Sequence, residues 1–331
     1  MKHRRRPFIC LAIATVAILA TVAHLARAQT YPARPVTLIV PFAAGGASDV
    51  ISRIVGEYLA RSLGQQFVIE NVAGAGGTTG TTRTMRANPD GYTIQMGHLG
   101  THATSVSLYP NLAYKPDTDF EPIGVVVEQP ILIAARRDFP AKDINEFIAY
   151  VKANADKLNM AHTGVGSNSF AYALVLNAAL RVKPTLVPFN GNAPAMTALL
   201  GGQVDYFIAT VLDVGPHLAS AAVKVYAVGA AERNPALPNV PTTKEARLLG
   251  LDSSPWWGLF APKGTPRPIL DRLTEALDKG LDDPNTRKRL LELGGEVPDK
   301  TKRGQQALAN LVKSEIARWT PIIRAANIKG E

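Results

Sequence analysis

Thr37-Leu-Ile-Val-Pro-Phe-Ala-Ala-Gly-Gly-Ala-Ser-Asp-Val-Ile-Ser-Arg53 reads as a buried strand, a glycine turn and the start of a helix. Val36 to Val40 is a short apolar run rich in β-branched residues, the composition of a strand covered on both faces. Pro41 ends it, and Gly45-Gly46 open a turn in which no Cβ stands between backbone and ligand. Ser48 or Asp49 is placed to cap a helix whose apolar residues Val50, Ile51, Ile54, Val55, Tyr58 and Leu59 recur at helical spacing. Such a junction points unpaired N–H groups and the positive end of a helix dipole at one spot, which suits an anion. The expectation is half of a carboxylate clamp, with a second half brought opposite it by the rest of the chain.

Upstream, Lys2 and Arg4-Arg5-Arg6 form a positive n-region, Phe8 to Leu25 an apolar stretch, and Ala26-Arg27-Ala28 a small-x-small cleavage pattern. Residues 1–28 therefore read as a signal peptide, and the expected location is the periplasm. The apolar run is long enough for a membrane anchor, but the Ala-x-Ala site and the globular pattern after it favour cleavage. Arg5-Arg6-Pro7-Phe8 resembles a twin-arginine signal, although an ordinary n-region accounts for it. Five of the 36 Lys+Arg and none of the 27 Asp+Glu lie in 1–28, so the formal charge of +9 becomes 31 against 27, or +4, beyond it. Arg136-Arg137 and Arg287-Lys288-Arg289 lack interleaved aromatics and read as solvated faces, so no nucleic-acid partner is expected. The single cysteine, Cys10, lies in the same leader, which leaves no disulfide, thiol nucleophile or thiolate metal site beyond it. The remaining length suits two domains.

Gln66 to Glu70 is strand-like, and Asn71-Val-Ala-Gly-Ala-Gly-Gly-Thr-Thr-Gly80 is a second glycine turn. It lacks both the third glycine of a dinucleotide fingerprint and the lysine of a P-loop, so it reads as a tight strand-to-helix connection and no cofactor is expected. A helix from Thr79 to Ala87, the turn Asn88-Pro89-Asp90-Gly91 and a strand Tyr92 to Met96 complete a β-α-β-α-β pattern, hence an α/β chain with mostly parallel sheet. His98, Thr101 and His102 follow a strand end, where ligands gather in open α/β sheets. Gly97 and Gly100 argue against the helix that a His98/His102 metal pair would need.

Glu121 to Val127 and Pro130 to Ala135 are successive strands without a helix between them. After a helix from Ile144 to Ala153, the run Met160-Ala-His-Thr-Gly-Val-Gly-Ser-Asn-Ser-Phe170 repeats the opening logic of strand, glycine turn, hydroxyl and helix. Ser167 caps that helix, and two such junctions are what a two-jawed anion site requires. Further strands are expected at Thr185 to Phe189, Val204 to Ala209 and Val223 to Val228, with a third capped helix from Asn190 to Leu200. Thr210 with Asp213 can face the cleft. Pro255 to Pro262 is expected to return to the first sheet, and three terminal helices to cover it. The expected division is domain one at 29–126 and 253–331 and domain two at 127–252, with hinge crossings near Val125 to Pro130 and Asp252 to Pro255.

In order and spacing, several stretches together resemble the substrate-binding receptors of tripartite tricarboxylate transporters, the Bug-type family. They include Pro41-Phe-Ala-Ala-Gly-Gly-Ala-Ser-Asp49, Asn71-Val-Ala-Gly-Ala-Gly-Gly77, Gly164-Val-Gly-Ser167, Gly191-Asn-Ala-Pro-Ala195, Gly201-Gly-Gln-Val-Asp205 and Trp257-Gly-Leu-Phe-Ala-Pro262. The resemblance implies a two-lobed type II periplasmic binding-protein fold, each lobe a mostly parallel sheet flanked by helices. It also implies a ligand carboxylate held by the loops 45–49 and 164–169, partly through ordered waters, and a transporter permease as membrane partner. One departure is Phe170, where the family often has His.

The candidate ligand-binding residues are thus Phe42, Gly45, Gly46, Ala47, Ser48, Asp49, His98, Thr101, Gly166, Ser167, Asn168, Ser169 and Thr210, with Phe170 and Trp256 as aromatic walls. Asp49 would repel an anion unless it serves the first helical turn and Arg53, or meets a cationic or protonated ligand group. The ligand expected is a small organic acid: a di- or tricarboxylate, an acidic amino acid or an aromatic acid. The receptor is expected to be a monomer, and no metal is expected. A signalling receptor fits the same pattern. A hydrolase fits it less, since Gly164-Val-Gly-Ser167 lacks the closing glycine of a nucleophile elbow.

Overall fold

The structure is a computed structural model describing residues 31–230, 232–234, 237–248, 250–251 and 254–325. The leader reading of 1–28 falls outside them. Residues 31–33 belong to a separate unit, and residues 34–325 carry both sheets.

In chain order the first elements are β1 (Val36–Val40), α1 (Ala47–Leu63), β2 (Phe67–Asn71), α2 (Thr78–Met85), β3 (Thr93–His98), α3 (Ser105–Leu108) and β4 (Phe120–Glu128). Then come β5 (Ile131–Arg136), α4 (Ile144–Asn154), β6 (Asn159–His162), α5 (Asn168–Leu180), β7 (Thr185–Pro188), α6 (Asn192–Leu200), β8 (Tyr206–Thr210), α7 (Val211–Leu218) and β9 (Val223–Gly229). The last are β10 (Trp256–Pro262), α8 (Arg267–Asp282), α9 (Pro284–Glu292) and α10 (Gly304–Ala325).

The strands form two sheets of one design, ordered β2-β1-β3-β10-β4 and β7-β6-β8-β5-β9. β1 pairs parallel with β2 and β3, and β6 pairs parallel with β7 and β8. The intruding strand is antiparallel in both, β10 to β3 and β4, β5 to β8 and β9. Gln129-Pro130 carries the chain straight from β4 of the first sheet into β5 of the second, with no helix between them. In β1, Val36, Leu38, Ile39 and Val40 are all buried, as a strand with helices on both faces requires.

The segments joining the two sheets lie side by side. Gln129 donates its N–H to the Pro255 carbonyl at 2.9 Å, and Glu128 and Glu296 exchange N–H···O bonds of 3.0 and 2.7 Å. Asp252 and Ser253, part of the second expected crossing, lie outside the described residues. Helix α10 packs on β4 but also reaches the second sheet's helices, where buried Trp319 sets its ring edge-on to Tyr172 of α5 at 5.1 Å. The last helix therefore does more than cover the first sheet.

One local expectation fails. Gly100–Thr104 forms a π-helical turn that runs into α3, although Gly97 and Gly100 suggested no helix. Gly100 is there for proximity: a Cβ on it would lie 2.4 Å from the Gly166 carbonyl oxygen and 2.6 Å from His98 Cε1.

Candidate functional site: a cavity between four helix starts

The carboxyl ends of β1, β3, β6 and β8 face one cavity of about 490 Å³, mouth included. Phe42, Gly46, Ala47, Ser48, His98 and Trp257 line it from the first sheet's side. Thr163, Ser167, Asn168, Ser169, Asn192 and Thr210 line it from the second, with Ile131, Ile208, Ala209 and Pro255 completing the wall. The starts of α1, α5, α6 and α7 all contribute, whereas the sequence pointed to two. No lining side chain is Asp, Glu, Lys or Arg. The backbone N–H groups of Ala47, Ser48, Asn168, Ser169 and Asn192 have no hydrogen-bond partner among the described residues, as expected of first helical turns.

The side chains add donors. Ser48 Oγ accepts the Trp257 indole N–H at 2.9 Å, so its own proton is free for the cavity. Thr163, Ser167 and Ser169 form a hydroxyl chain, Thr163 to Ser169 at 2.9 Å and Ser167 to Ser169 at 3.2 Å. Three hydroxyl protons serve two links, which leaves one to give outward. The Thr163 and Phe170 N–H groups donate into the chain at Ser169 Oγ and Ser167 Oγ, at 2.9 and 3.2 Å. His98 Nδ1 accepts the Gly100 N–H at 2.8 Å, so the neutral ring carries its proton on Nε2. Burial pushes the His98 pKa down to about 3, and Phe42 stacks on the ring at 4.9 Å. His98 is thus a neutral N–H donor.

Asp49 is fully engaged elsewhere. Its carboxylate accepts Gly45 N–H at 2.9 Å, Arg53 Nε and Nη2 at 3.0 and 2.9 Å, and Asn71 Nδ2 at 3.0 Å. Burial raises its pKa, but the bonds from Arg53, Gly45 and Asn71 outweigh that and leave it below the usual range. The side chain serves the first turn of α1 and Arg53. Neither Ser48 nor Asp49 caps α1 from the N-cap position, which is Gly46.

Of the expected residues, Phe42, Gly46, Ala47, Ser48, His98, Ser167, Asn168, Ser169 and Thr210 line the cavity. Gly45, Asp49, Thr101 and Gly166 do not. Gly45 turns the chain at φ 85° and gives its N–H to Asp49. Thr101 Oγ1 is held within the His98–His102 turn, and Gly166 packs against Tyr109 and Gly100. Phe170 is buried against His162 at 4.7 Å, facing a neighbouring groove between 74–77 and 162–165. Trp256 is also buried, and the wall is Trp257, one residue on and therefore on the other face of β10. Thr163, Asn192 and Trp257 were missed. Asn192 could have been found, because Gly191-Asn192 opens a third glycine-led helix.

The model of the tripartite tricarboxylate transporter family receptor matches residues 51–328. The chain belongs to that family. This is a family of solute-binding receptors, not of enzymes. Among solved structures, MatC from Rhodopseudomonas palustris with bound malate is 47% identical, covering 88% of this chain and 100% of its own, with a TM-score of 0.86. The periplasmic binding protein BugD is 43% identical over 91% of this chain and 100% of its own, at a TM-score of 0.87. An R. palustris protein with adipate is 31% identical over 90% and 99%, at 0.85. The receptor's two sheets flanked by helices are the periplasmic binding-protein architecture of these neighbours.

Proposed function

We propose that this receptor captures a small organic carboxylate in the cavity between the sheets and delivers it to a tripartite tricarboxylate-type permease. It does so as a monomer in the periplasm, after residues 1–28 are removed. The carrying observation is four helix starts around one cavity with no charged lining side chain. Burying a carboxylate costs several kcal/mol unless its oxygens are hydrogen-bonded. Charge-assisted bonds contribute roughly 1.5–3 kcal/mol each, so three or four from these amides and hydroxyls offset that cost without a buried Arg. Malate in MatC and adipate in the second R. palustris protein are ligands of the same chemical class. Domain one at 29–126 and 253–331 then closes on domain two at 127–252 about the paired crossings.

The test is a thermal-shift screen over mono-, di- and tricarboxylates. A ligand at 100 times its Kd stabilises by about 2.7 kcal/mol, a shift of several degrees. If no carboxylate moves the transition, the reading fails.

A further inference from the structure

One edge of the cavity offers acceptors rather than donors. Asp213, at the third position of α7, draws three donors onto its Oδ2: the Thr210 N–H, the Thr210 hydroxyl and Asn192 Nδ2, each at 2.8 Å. Burial pushes the Asp213 carboxyl upward, while the three bonds oppose this and hold Oδ2 as an acceptor. A carboxylate oxygen accepts only, so the Asn192 amide must turn its nitrogen to Asp213 and keep its oxygen away from it. That Oδ1 has no partner among the described residues, and Asn192 lines the cavity. The Thr210 hydroxyl has spent its one proton on Asp213 and accepts the Asp213 N–H in the capping box of α7, so one lone pair is what it can offer.

The acceptors lie beside the anion-holding amides. A Cβ placed on Gly46 would stand 3.7 Å from both Cβ and N of Asn192. A ligand carboxylate on the α1 and α5 amides therefore brings its adjacent carbon within reach of Asn192 Oδ1.

We propose that Asp213 fixes Asn192 and Thr210 as hydrogen-bond acceptors, so that the receptor selects carboxylates bearing a hydroxyl or ammonium group on the carbon next to the carboxylate. This rests on the carboxylate reading above. Asn192 is the specificity residue, and Asp213 is a positioning residue acting through it. A ligand lacking the donor leaves a buried acceptor unpaired, which is how a site rejects an analogue that differs by one hydroxyl.

Titration calorimetry with malate and with succinate, which differ by one 2-hydroxyl, reads this directly. The purified receptor should bind malate at least about tenfold more tightly. Asn192→Leu should bring that preference below about threefold by removing the acceptor. Asp213→Asn, which no longer forces the amide orientation, should also reduce it, and aspartate should behave as malate does. Equal binding of malate and succinate by the unaltered protein overturns the inference while leaving the carboxylate site standing. A preference that survives in both variants, with affinity for the two ligands falling together, shows a structural role only and also overturns it. Binding of only carboxylates that lack a 2-hydroxyl or 2-ammonium group overturns the inference alone, and if no carboxylate binds, the carboxylate reading falls and takes this inference with it.

Discussion

Replacing Ser167 with Ala separates a helix cap from a ligand contact, because one hydroxyl does both jobs. Ser167 Oγ accepts the Phe170 N–H at 3.2 Å as the N-cap of α5 and lies in the hydroxyl chain lining the cavity. Loss of the cap costs about 1 kcal/mol of stability, a few degrees at most in melting temperature for a chain of this size. That cost falls on free and bound protein alike, so it cancels in the binding equilibrium. The lost contact does not cancel: a charge-assisted hydrogen bond of roughly 1.5–3 kcal/mol corresponds to about 10- to 150-fold in Kd. Asp143→Ala is the matched control. Asp143 caps α4 by accepting Asn145 and Glu146 N–H at 2.8 and 2.9 Å and does not line the cavity. It should lower the melting temperature by a similar amount and leave affinity alone. Calorimetry and thermal unfolding on both variants, with the best carboxylate from the screen, give the comparison. An unchanged Kd in Ser167→Ala, or equal affinity losses in the two variants, would refute the assignment.

Two other outcomes follow from the geometry. Gly76, with φ 61°, sits where a Cβ would lie 1.6 Å from the Val165 carbonyl oxygen across the cleft, so Gly76→Ala must wedge the two sides apart. Overpacking of about 1–3 kcal/mol predicts a Kd weakened by roughly 5- to 150-fold. Gly64→Ala (φ 75°, open space around it) should carry a similar backbone strain with no loss of affinity, and calorimetry showing equal effects would discard the closure argument. With respect to pH, no lining group titrates near neutrality, since His98 stays neutral above about 3. Affinity for a fully ionised ligand should be flat from about pH 6 to 8; a one-proton step near pH 6.5 that disappears in His98→Gln would contradict the neutral-donor role. Stability behaves differently. The unfolded state takes up the His98 proton as pH falls below about 6.5 and the folded state does not, so stability is lost in that direction and His98→Gln should reduce the slope of melting temperature against pH.

What could be read from the chain is local, and what could not is distant. The β1–α1 and β6–α5 junctions announce themselves within a dozen residues, through glycine, a hydroxyl and helical spacing. The Asp49–Arg53 pair is an i,i+4 contact and was legible for the same reason. Ser48, by contrast, is defined by an indole 209 positions away, and Asn192 by a carboxylate 21 positions on, which no window of sequence connects. In β10 the alternation of faces is clear, but its phase is not: two adjacent tryptophans leave open which faces the cavity, and packing chooses Trp257. Gly100 was misread because glycine serves both as a helix breaker and where two backbones meet closely, and only the Gly166 carbonyl distinguishes the two.

The four helix starts are not equivalent, and their differences place the ligand's charge. α1 and α7 each carry an acid in the first turn, Asp49 and Asp213, so their dipoles are already met by negative charge from the chain itself. α5 and α6 carry none. The uncompensated positive ends thus belong to Asn168 and Asn192, on the second sheet's side, where unpaired N–H groups and the hydroxyl chain also lie. A buried Lys, a compact point charge, would hold any small anion with little regard for shape. Dipoles and neutral donors attract negative charge as well, but they hold it only when its oxygens match their directions. By this argument the first sheet's side supplies steric closure, the Ala47 and Ser48 N–H groups, the Ser48 hydroxyl and the His98 N–H, while the second adds the larger share of the field that draws the carboxylate in. The Ser167 substitution should therefore be felt more strongly in affinity than a comparable loss at Ser48.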